Sequence, residues 1–338
     1  MTDKNGNVTT FEYDANGKMV KATDPLGNTE SWVFDPRGLV KRKSDWLGNW
    51  TQYEYDPLGR LIKTVDPLGG SKQFEYDPMG NLIKEINENG VATTYEYDAL
   101  NRVTAVIDAH GNKTLYEYNY LGLLTKTTDA LGNVTTYEYD GMGRLIKETD
   151  PIGAVRAFAY DLNGNLIREI DQEGYATTYR YDALNRLIEE EDALQQKVSY
   201  EYDPKGNLLQ ITNPKGDPYR YEYDVLDRLI KEINHQGEVQ TYAYDPNGNL
   251  ISKTDFKQQT TIYKYDKLNR LVETLFADGS KKTYTYDAVG NLSSAINDTV
   301  AEYFYYDKLS RLIKADTVGL TGEETKTVMF TYNKVGDL

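Results

Sequence analysis

The stretch Asn133–Asp150, with the sequence NVTTYEYDGMGRLIKETD, decides the fold of this chain. Its first arm alternates β-branched and aromatic residues, so that Thr135, Tyr137 and Tyr139 lie on one face of an extended strand. The next four residues, DGMG, place Asp first and Gly fourth, which is typical of a type I turn closed by a residue with positive φ. A second β-rich arm, Leu145–Thr149, follows. The stretch therefore predicts a β-hairpin.

The same hairpin recurs along the chain with a period of 21 residues. Each first arm ends in a tyrosine that is usually followed by Asp, and the turn after it usually ends in Gly or Asn. This signature tyrosine, replaced once by Phe, is found at Tyr13, Phe34, Tyr55, Tyr76, Tyr97, Tyr118, Tyr139, Tyr160, Tyr181, Tyr202, Tyr223, Tyr244, Tyr265 and Tyr286. Two irregular steps lead to Tyr306 and Tyr332. Such strict repetition predicts a tandem array of small units.

Because a lone hairpin is marginal in water, each copy must pair with its neighbours. We predict an all-β fold of about sixteen 21-residue β-hairpin repeats, joined into one long antiparallel strip of about 32 strands. Since sheets twist, the strip is expected to coil into a spiral or partial shell. We expect one array over residues 1–338, regular to about residue 297 and irregular over residues 298–338, with both ends cut inside a repeat.

Two further patterns accompany the repeat. A second aromatic column, represented by Tyr137, lies two residues before the signature tyrosine, and we expect the rings of each column to stack along the strip. Alternate repeats carry a basic residue five positions after the signature tyrosine, as at Arg102, Arg144 and Arg186. This 42-residue rhythm leaves an eight-bladed β-propeller as an alternative. The short turns in both half-repeats favour the coiled strip.

Composition excludes several classes of function. The 338 residues include 38 basic and 53 acidic residues, a formal net charge of −15 that disfavours nucleic-acid binding. Apolar runs fall short of the ~18 residues that span a bilayer, so this segment is not expected to insert into a membrane. Met1–Asn7 is polar and does not form a signal peptide. Cysteine is absent, which excludes disulfides and thiolate metal sites.

The residues able to carry chemistry read as structural ones. Acidic residues such as Asp56 and Asp98 recur in nearly every copy as turn formers, whereas a catalytic pair should be unique. The two histidines, His110 and His235, lie far apart in the sequence, so zinc is not expected. The turns Asp161–Asn165 and Asp245–Asn249 resemble the start of a calcium loop but lack its closing Glu. We predict no catalytic residue, no metal and no cofactor.

Three tryptophans break the consensus in one early region of the sequence: Trp32, Trp46 and Trp50. Exposed aromatic rings can stack on sugars or anchor a protein partner. If the chain has a glycan or partner surface, it is expected there.

The motif Y-D-x-x-G-[RN]-L, followed by a strand and D-x-x-G-N, resembles the YD-repeat, or Rhs (rearrangement hotspot), family. A typical copy runs from Tyr139 to Leu145, and the resemblance covers nearly the whole chain. The family includes bacterial polymorphic toxins, shell-forming subunits of insecticidal toxin complexes, wall-associated bacterial proteins and animal teneurins. The resemblance implies a strip that spirals into a hollow shell, which in the toxins holds a C-terminal effector.

Three classes of function follow. The first is a non-catalytic scaffold or shell segment of a larger bacterial YD-repeat protein, secreted or on the cell surface, whose partner is an enclosed C-terminal effector or other parts of the same protein. The alternative is a surface adhesion module that binds a glycan or a protein, and a glycosidase-like enzyme is the third. Free strand edges are expected to let the segment self-associate.

Overall fold

The structure is a computed structural model that describes residues 1–320 and 325–337, and these form 31 β-strands without an α-helix. Accordingly, the described residues contain no helix long and apolar enough to cross a membrane. The chain divides into two compact units, which are described separately. Unit one comprises Met1–Ala92 with Tyr242–Leu338, and unit two comprises Thr93–Thr241.

The strands of unit one come from both of its segments. Its first segment contains β1 (Thr10–Tyr13), β2 (Met19–Thr23), β3 (Thr29–Phe34), β4 (Val40–Ser44), β5 (Trp50–Tyr55), β6 (Leu61–Val65), β7 (Ser71–Tyr76) and β8 (Leu82–Ile86). The boundary strand β9 (Ala92–Tyr97) begins unit two, followed by β10 (Val103–Ile107), β11 (Lys113–Tyr118), β12 (Leu124–Thr128), β13 (Val134–Tyr139), β14 (Leu145–Thr149), β15 (Val155–Tyr160), β16 (Leu166–Ile170), β17 (Ala176–Tyr181), β18 (Leu187–Glu191), β19 (Lys197–Tyr202), β20 (Leu208–Thr212), β21 (Pro218–Tyr223) and β22 (Leu229–Ile233). After the boundary strand β23 (Val239–Tyr244), unit one resumes with β24 (Leu250–Thr254), β25 (Thr260–Tyr265), β26 (Leu271–Leu275), β27 (Lys281–Tyr286), β28 (Leu292–Ile296), β29 (Val300–Tyr306), β30 (Leu312–Gly319) and β31 (Lys326–Met329).

Consecutive strands pair antiparallel. In unit two every strand from β10 to β22 pairs with the next one, without a break. A propeller of four-stranded blades would interrupt this pairing at every fourth strand. The continuous strip of hairpins is therefore confirmed, and the propeller is not the fold of this chain.

The turns have the predicted geometry. In the hairpin of β13 and β14, the backbone N–H of Asp140 donates to the carbonyl of Arg144 at 3.0 Å, and the N–H of Gly143 donates to the carbonyl of Asp140 at 3.0 Å. Gly143 has a φ of 80°, and the strand register shifts between Glu138 and Tyr139, just before the turn. This is a type I turn closed by a left-handed residue. Where Gly is absent, another residue, most often Asn, takes the same conformation, as Asn101 does with a φ of 60°.

The strip has two chemically different faces. The register of β13 with β14 places Tyr137 opposite Glu148 and Glu138 opposite Lys147. Because side chains alternate along a strand, Tyr137 and Glu148 share one face, called here the tyrosine face. Glu138 and Lys147 share the other, called the charged face, where they form an exposed ion pair at 2.7 Å.

A second layer does not cover either face. Among residues 1–320 and 325–337, the buried apolar residues are four alanines: Ala22, Ala105, Ala295 and Ala301. No large side chain in this part of the chain is fully buried. The strip is thus a wall one sheet thick, rather than half of a sandwich.

The expected stacking of rings along the aromatic columns is wrong. Among residues 113–237, all of which the structure describes, the one ring pair is Tyr219 with His235. Neighbours in a column are separated by an intervening strand and therefore by about 9.6 Å, whereas paired rings need centroids within about 7 Å. The intervening strand places other side chains, such as Glu148, between the rings.

Within unit one the strip returns to its own beginning. The backbone N–H of Asn5 donates to Oδ1 of Asn247 at 3.0 Å, and the side-chain amide of Asn5 donates to Asp245 at 2.8 Å. These contacts join turns that are 242 residues apart in the sequence. A flat strip could not make them, so the strip bends as its twist predicts.

Candidate functional surface

The signature tyrosines fasten each repeat to the one before it. The hydroxyl of Tyr139 donates to the backbone carbonyl of Leu124 at 2.7 Å. Burial raises the pKa of Tyr139 above its ordinary value. The same bond, with the corresponding residue of the preceding repeat, is made by Tyr55, Tyr76, Tyr118, Tyr160, Tyr181, Tyr202, Tyr265, Tyr286, Tyr306 and Tyr332. These hydroxyls donate their hydrogen bond to the backbone and therefore cannot donate one to a ligand.

The basic residue of alternate repeats joins two neighbouring hairpins by three contacts. Nε and Nη2 of Arg144 contact the carboxylate of Asp140 at 2.7 and 2.6 Å, and Nη1 donates to the carbonyl of Asp161 at 2.8 Å. The guanidinium also lies 4.9 Å from the ring centre of Tyr160, a cation–π contact. Equivalent arginines with the same three contacts are Arg60, Arg102, Arg186, Arg270 and Arg311.

The repeats between them use an amide instead. The side chain of Asn165 donates to Asp161 at 2.8 Å and to Oδ1 of Asn185 at 2.9 Å. Asn185 closes the following turn with a φ of 61°, in the position that glycine takes in most turns, so the amide contacts the residue that closes the neighbouring turn. Guanidinium and amide turns thus alternate, in agreement with the 42-residue rhythm of the sequence.

The recurring aspartates shape turns. Oδ1 of Asp140 accepts the backbone N–H groups of Met142 at 2.9 Å and of Arg144 at 3.0 Å. The backbone N–H of Arg144, and then its guanidinium, hold the pKa of Asp140 below its ordinary value. In the calcium-like turn, Asp161 is likewise occupied by Asn163 and Asn165. These carboxylates serve their own turns, and the described residues contain no group of three or more metal-ligating side chains.

The histidines are placed in separate turns. His110 is 86% exposed, with its Nδ1 4.0 Å from Asp108. The Nδ1 of His235 lies 3.2 Å from the hydroxyl of Tyr219. The structure does not bring the two histidines together.

The tryptophans do not form one patch. Trp32 pairs with Lys43, which in turn pairs with Thr51, so Trp32 lies on the tyrosine face. Trp50 is adjacent to Thr51 in β5 and therefore lies on the charged face. A cation covers each ring: Lys43 lies 5.3 Å from Trp32, and Arg42 lies 4.5 Å from Trp50. Trp46 lies in the turn after β4. Binding of a glycan or partner by these residues remains a prediction.

The tyrosine face is the surface best suited to a partner. The hydroxyl of Tyr137, unlike that of Tyr139, makes no hydrogen bond to the described residues. Between the aromatic rows of unit two stands a row of carboxylates: Glu148, Glu169, Glu190 and Glu232. One basic residue of this face, Arg156, bonds to Glu169 at 2.7 Å and lies 3.7 Å from Glu148.

Sequence reasoning named the aromatic rows of this face and missed the carboxylate row. The carboxylate row could have been predicted from the sequence, because the turn type fixes which residue of the second arm lies opposite Tyr137.

Protein-family models match the chain over most of its length. The RHS Repeat model matches residues 118–155 and, in overlapping copies, residues 160–301, which together make up more than half of the chain. The Teneurin YD-shell model matches residues 1–114. No curated protein matches the chain in sequence.

Several solved structures share the fold. The crystal structure of TcdB2-TccC3 is 16% identical, with a TM-score of 0.78, over 98% of this chain and 23% of that chain. The crystal structure of TcdB2-TccC3-Cdc42 is 17% identical, with a TM-score of 0.77, over 98% of this chain and 22% of that chain. A Photorhabdus luminescens Tc holotoxin pore is 16% identical, with a TM-score of 0.77, over 97% of this chain and 22% of that chain.

This chain thus spans less than a quarter of the chains whose fold it shares. The repeated motif, the hairpin geometry and the matched family model agree: the chain belongs to the RHS repeat family.

Proposed function

We propose that this array is a non-catalytic segment of an enclosing wall in a larger secreted or cell-surface protein. The partner is a C-terminal effector of the same polypeptide, or other parts of that protein, held against the tyrosine face. The likeness of the array to the TcdB2-TccC3 structures supports a wall of this kind.

One observation carries the proposal. The strip is one sheet thick, and large side chains are not fully buried in its described residues. An enzyme usually holds its reacting groups in a concave site on a packed scaffold. Here the recurring aspartates and arginines are bound within and between turns, and the tyrosine face presents a broad surface of rings, hydroxyls and carboxylates. Such a face suits many weak contacts with a polypeptide.

The difference between the two faces allows the proposal to be tested on the full-length protein. A photo-crosslinking amino acid is introduced at Tyr137, on the tyrosine face, and separately at Glu138, its neighbour on the charged face. We expect crosslinks from position 137 to segments of the polypeptide outside the array, and few from position 138. Protease treatment should also leave those segments intact while the array is folded.

The opposite results would refute the proposal. Crosslinks equally frequent from both positions would show that the tyrosine face has no special role. Segments outside the array that are digested as fast as they are in isolation would show that the wall encloses nothing.

A further inference from the structure

In the regular four-residue turns that the structure describes, the third residue lies at the edge of the sheet, and it is called here the turn tip. Signature turns, which follow the signature tyrosine, form one edge, and Met142 is an example of their tips. Connecting turns, which join one repeat to the next, form the other edge, and Leu131 is an example of theirs. Many tips on both edges are apolar, although a solvated turn has no need of an apolar side chain there.

In unit one a connecting edge and a signature edge meet. Asn5, a connecting-turn tip, bonds to Asn247, a signature-turn tip 242 residues later. The same separation relates Leu26 to Leu268 and Leu47 to Val289. Leu68 and Leu309 line one cavity of about 290 Å³. This line of contact between a connecting edge and a signature edge is called here the seam.

Exposure distinguishes tips in the seam from tips outside it. The connecting tips of the seam, Leu26, Leu47 and Leu68, are 45%, 48% and 49% exposed. In unit two the tips at the same turn position, Leu131, Ile152 and Leu194, are 88%, 90% and 74% exposed. The signature edge shows the same contrast, since Leu268, Val289 and Leu309 are half-buried. The apolar signature tips of unit two all remain exposed: Leu100, Leu121, Met142, Leu184 and Leu226.

We propose that the exposed connecting tips Leu131, Ile152 and Leu194 form a docking site for the signature edge of a second copy of this chain. The seam is the evidence that the two edges fit, and unit two carries further apolar tips on both edges, at three of its connecting turns and five of its signature turns. Consecutive tips on either edge are two strands apart, about 9.6 Å. Rows with equal spacing meet tip to tip, so the second copy repeats the contact that the chain already makes with itself.

The interface joins two different edges, so its symmetry is head-to-tail. Each copy offers one free connecting edge and one free signature edge, and a third copy can therefore dock on the second. The assembly grows sideways, edge upon edge. Pairing of the end strands β1 and β31 would instead lengthen the strip.

Sedimentation of the whole chain at increasing concentration tests the proposal with two variants. The connecting-edge variant carries Leu131→Ser, Ile152→Ser and Leu194→Ser, and the signature-edge variant carries Leu100→Ser, Met142→Ser and Leu184→Ser. The original chain should associate, and each variant should do so at least about tenfold more weakly. Mixed in equal amounts, the two variants should form dimers and nothing larger, because each retains the edge that the other lacks. Restored pairing would also show that both variants are folded.

A matched control uses apolar residues at the second position of signature turns, which are as exposed as the tips: Tyr120, Leu162 and Val225. In the seam the lysines at this position, Lys267 and Lys308, are exposed. Changing Tyr120, Leu162 and Val225 to Ser should therefore leave association unchanged. A chain that is monomeric at every concentration overturns the proposal. So does association that persists in both edge variants, which is the result expected if the end strands pair.

Discussion

At the scale of single residues, the two tyrosines of each first arm have different roles although they share a face. Tyr139 sends its hydroxyl to a backbone carbonyl of the preceding repeat, whereas the hydroxyl of Tyr137 bonds to none of the described residues. Tyr139 therefore contributes to stability through a hydrogen bond, and Tyr137 contributes through its ring. The sequence predicted both positions but not this difference, because alternation fixes the face of a side chain and says nothing about its partner.

Replacement of Tyr139 by Phe should lower the stability of the surrounding repeats by about 1 kcal/mol, because the carbonyl of Leu124 loses its side-chain donor. Hydrogen exchange in β12 and β13 would report the loss locally. Tyr137→Phe is the matched control in the same strand and should change exchange little. Equal effects of the two substitutions would contradict the assignment of roles.

At the scale of the hairpin, the repeats provide comparisons within the chain itself. Glu138 and Lys147 form a cross-strand pair on the charged face at 2.7 Å. Elsewhere the same positions hold Arg180 with Glu189, or Lys264 with Glu273, so the charges are reversed and the pair is kept. Strand bounds, turn type and alternation could all be read from the sequence, because each is set within a few residues. The expected stacking of aromatic columns was wrong because it overlooked the spacing of alternate strands, about 9.6 Å, which is the same in every sheet.

The turn of the hairpin gives a prediction at this scale. Gly143 has a φ of 80°, which a residue with a Cβ adopts at a cost, and its Cβ would come 3.4 Å from Leu123. Gly143→Ala should therefore destabilise the array by about 1 kcal/mol. Gly141→Ala, two residues earlier in the same turn, meets no atom within 4 Å and should be nearly neutral. Thermal unfolding of the two variants makes the comparison, and a Gly141 variant as unstable as the Gly143 variant would refute it.

At the scale of the whole molecule, contacts between distant parts of the chain were beyond the reach of sequence reasoning. The seam joins residues 242 positions apart, and neither the period nor the turn residues specify how far the strip must run before its edges meet. The net charge of the molecule, in contrast, could be predicted from the sequence. Its 53 acidic residues include the aspartates that open most of the turns.

Stability should decrease steeply in acid. The backbone N–H of the arginine four residues later is the first cause that places the pKa of Asp140, Asp182 and Asp224 below 3.8 in the folded chain. Unfolded aspartates bind protons at a higher pH than folded ones, so the stabilisation is complete above the ordinary value. It is lost as the pH falls through the lower folded values.

Urea unfolding between pH 7 and about pH 3 would measure this dependence. Asp140→Asn should make it shallower, because one titrating turn is removed. A denaturation midpoint that stays constant or rises toward acid would contradict the prediction.

The thinness of the wall has a thermodynamic consequence. The heat capacity of unfolding comes mainly from apolar surface that becomes hydrated, and compact domains give about 12–15 cal/mol/K per residue. A sheet whose buried apolar residues, among those described, are four alanines hides little such surface. The curve of stability against temperature should therefore be unusually flat, so that chilling weakens this fold less than it weakens a domain with a dry interior.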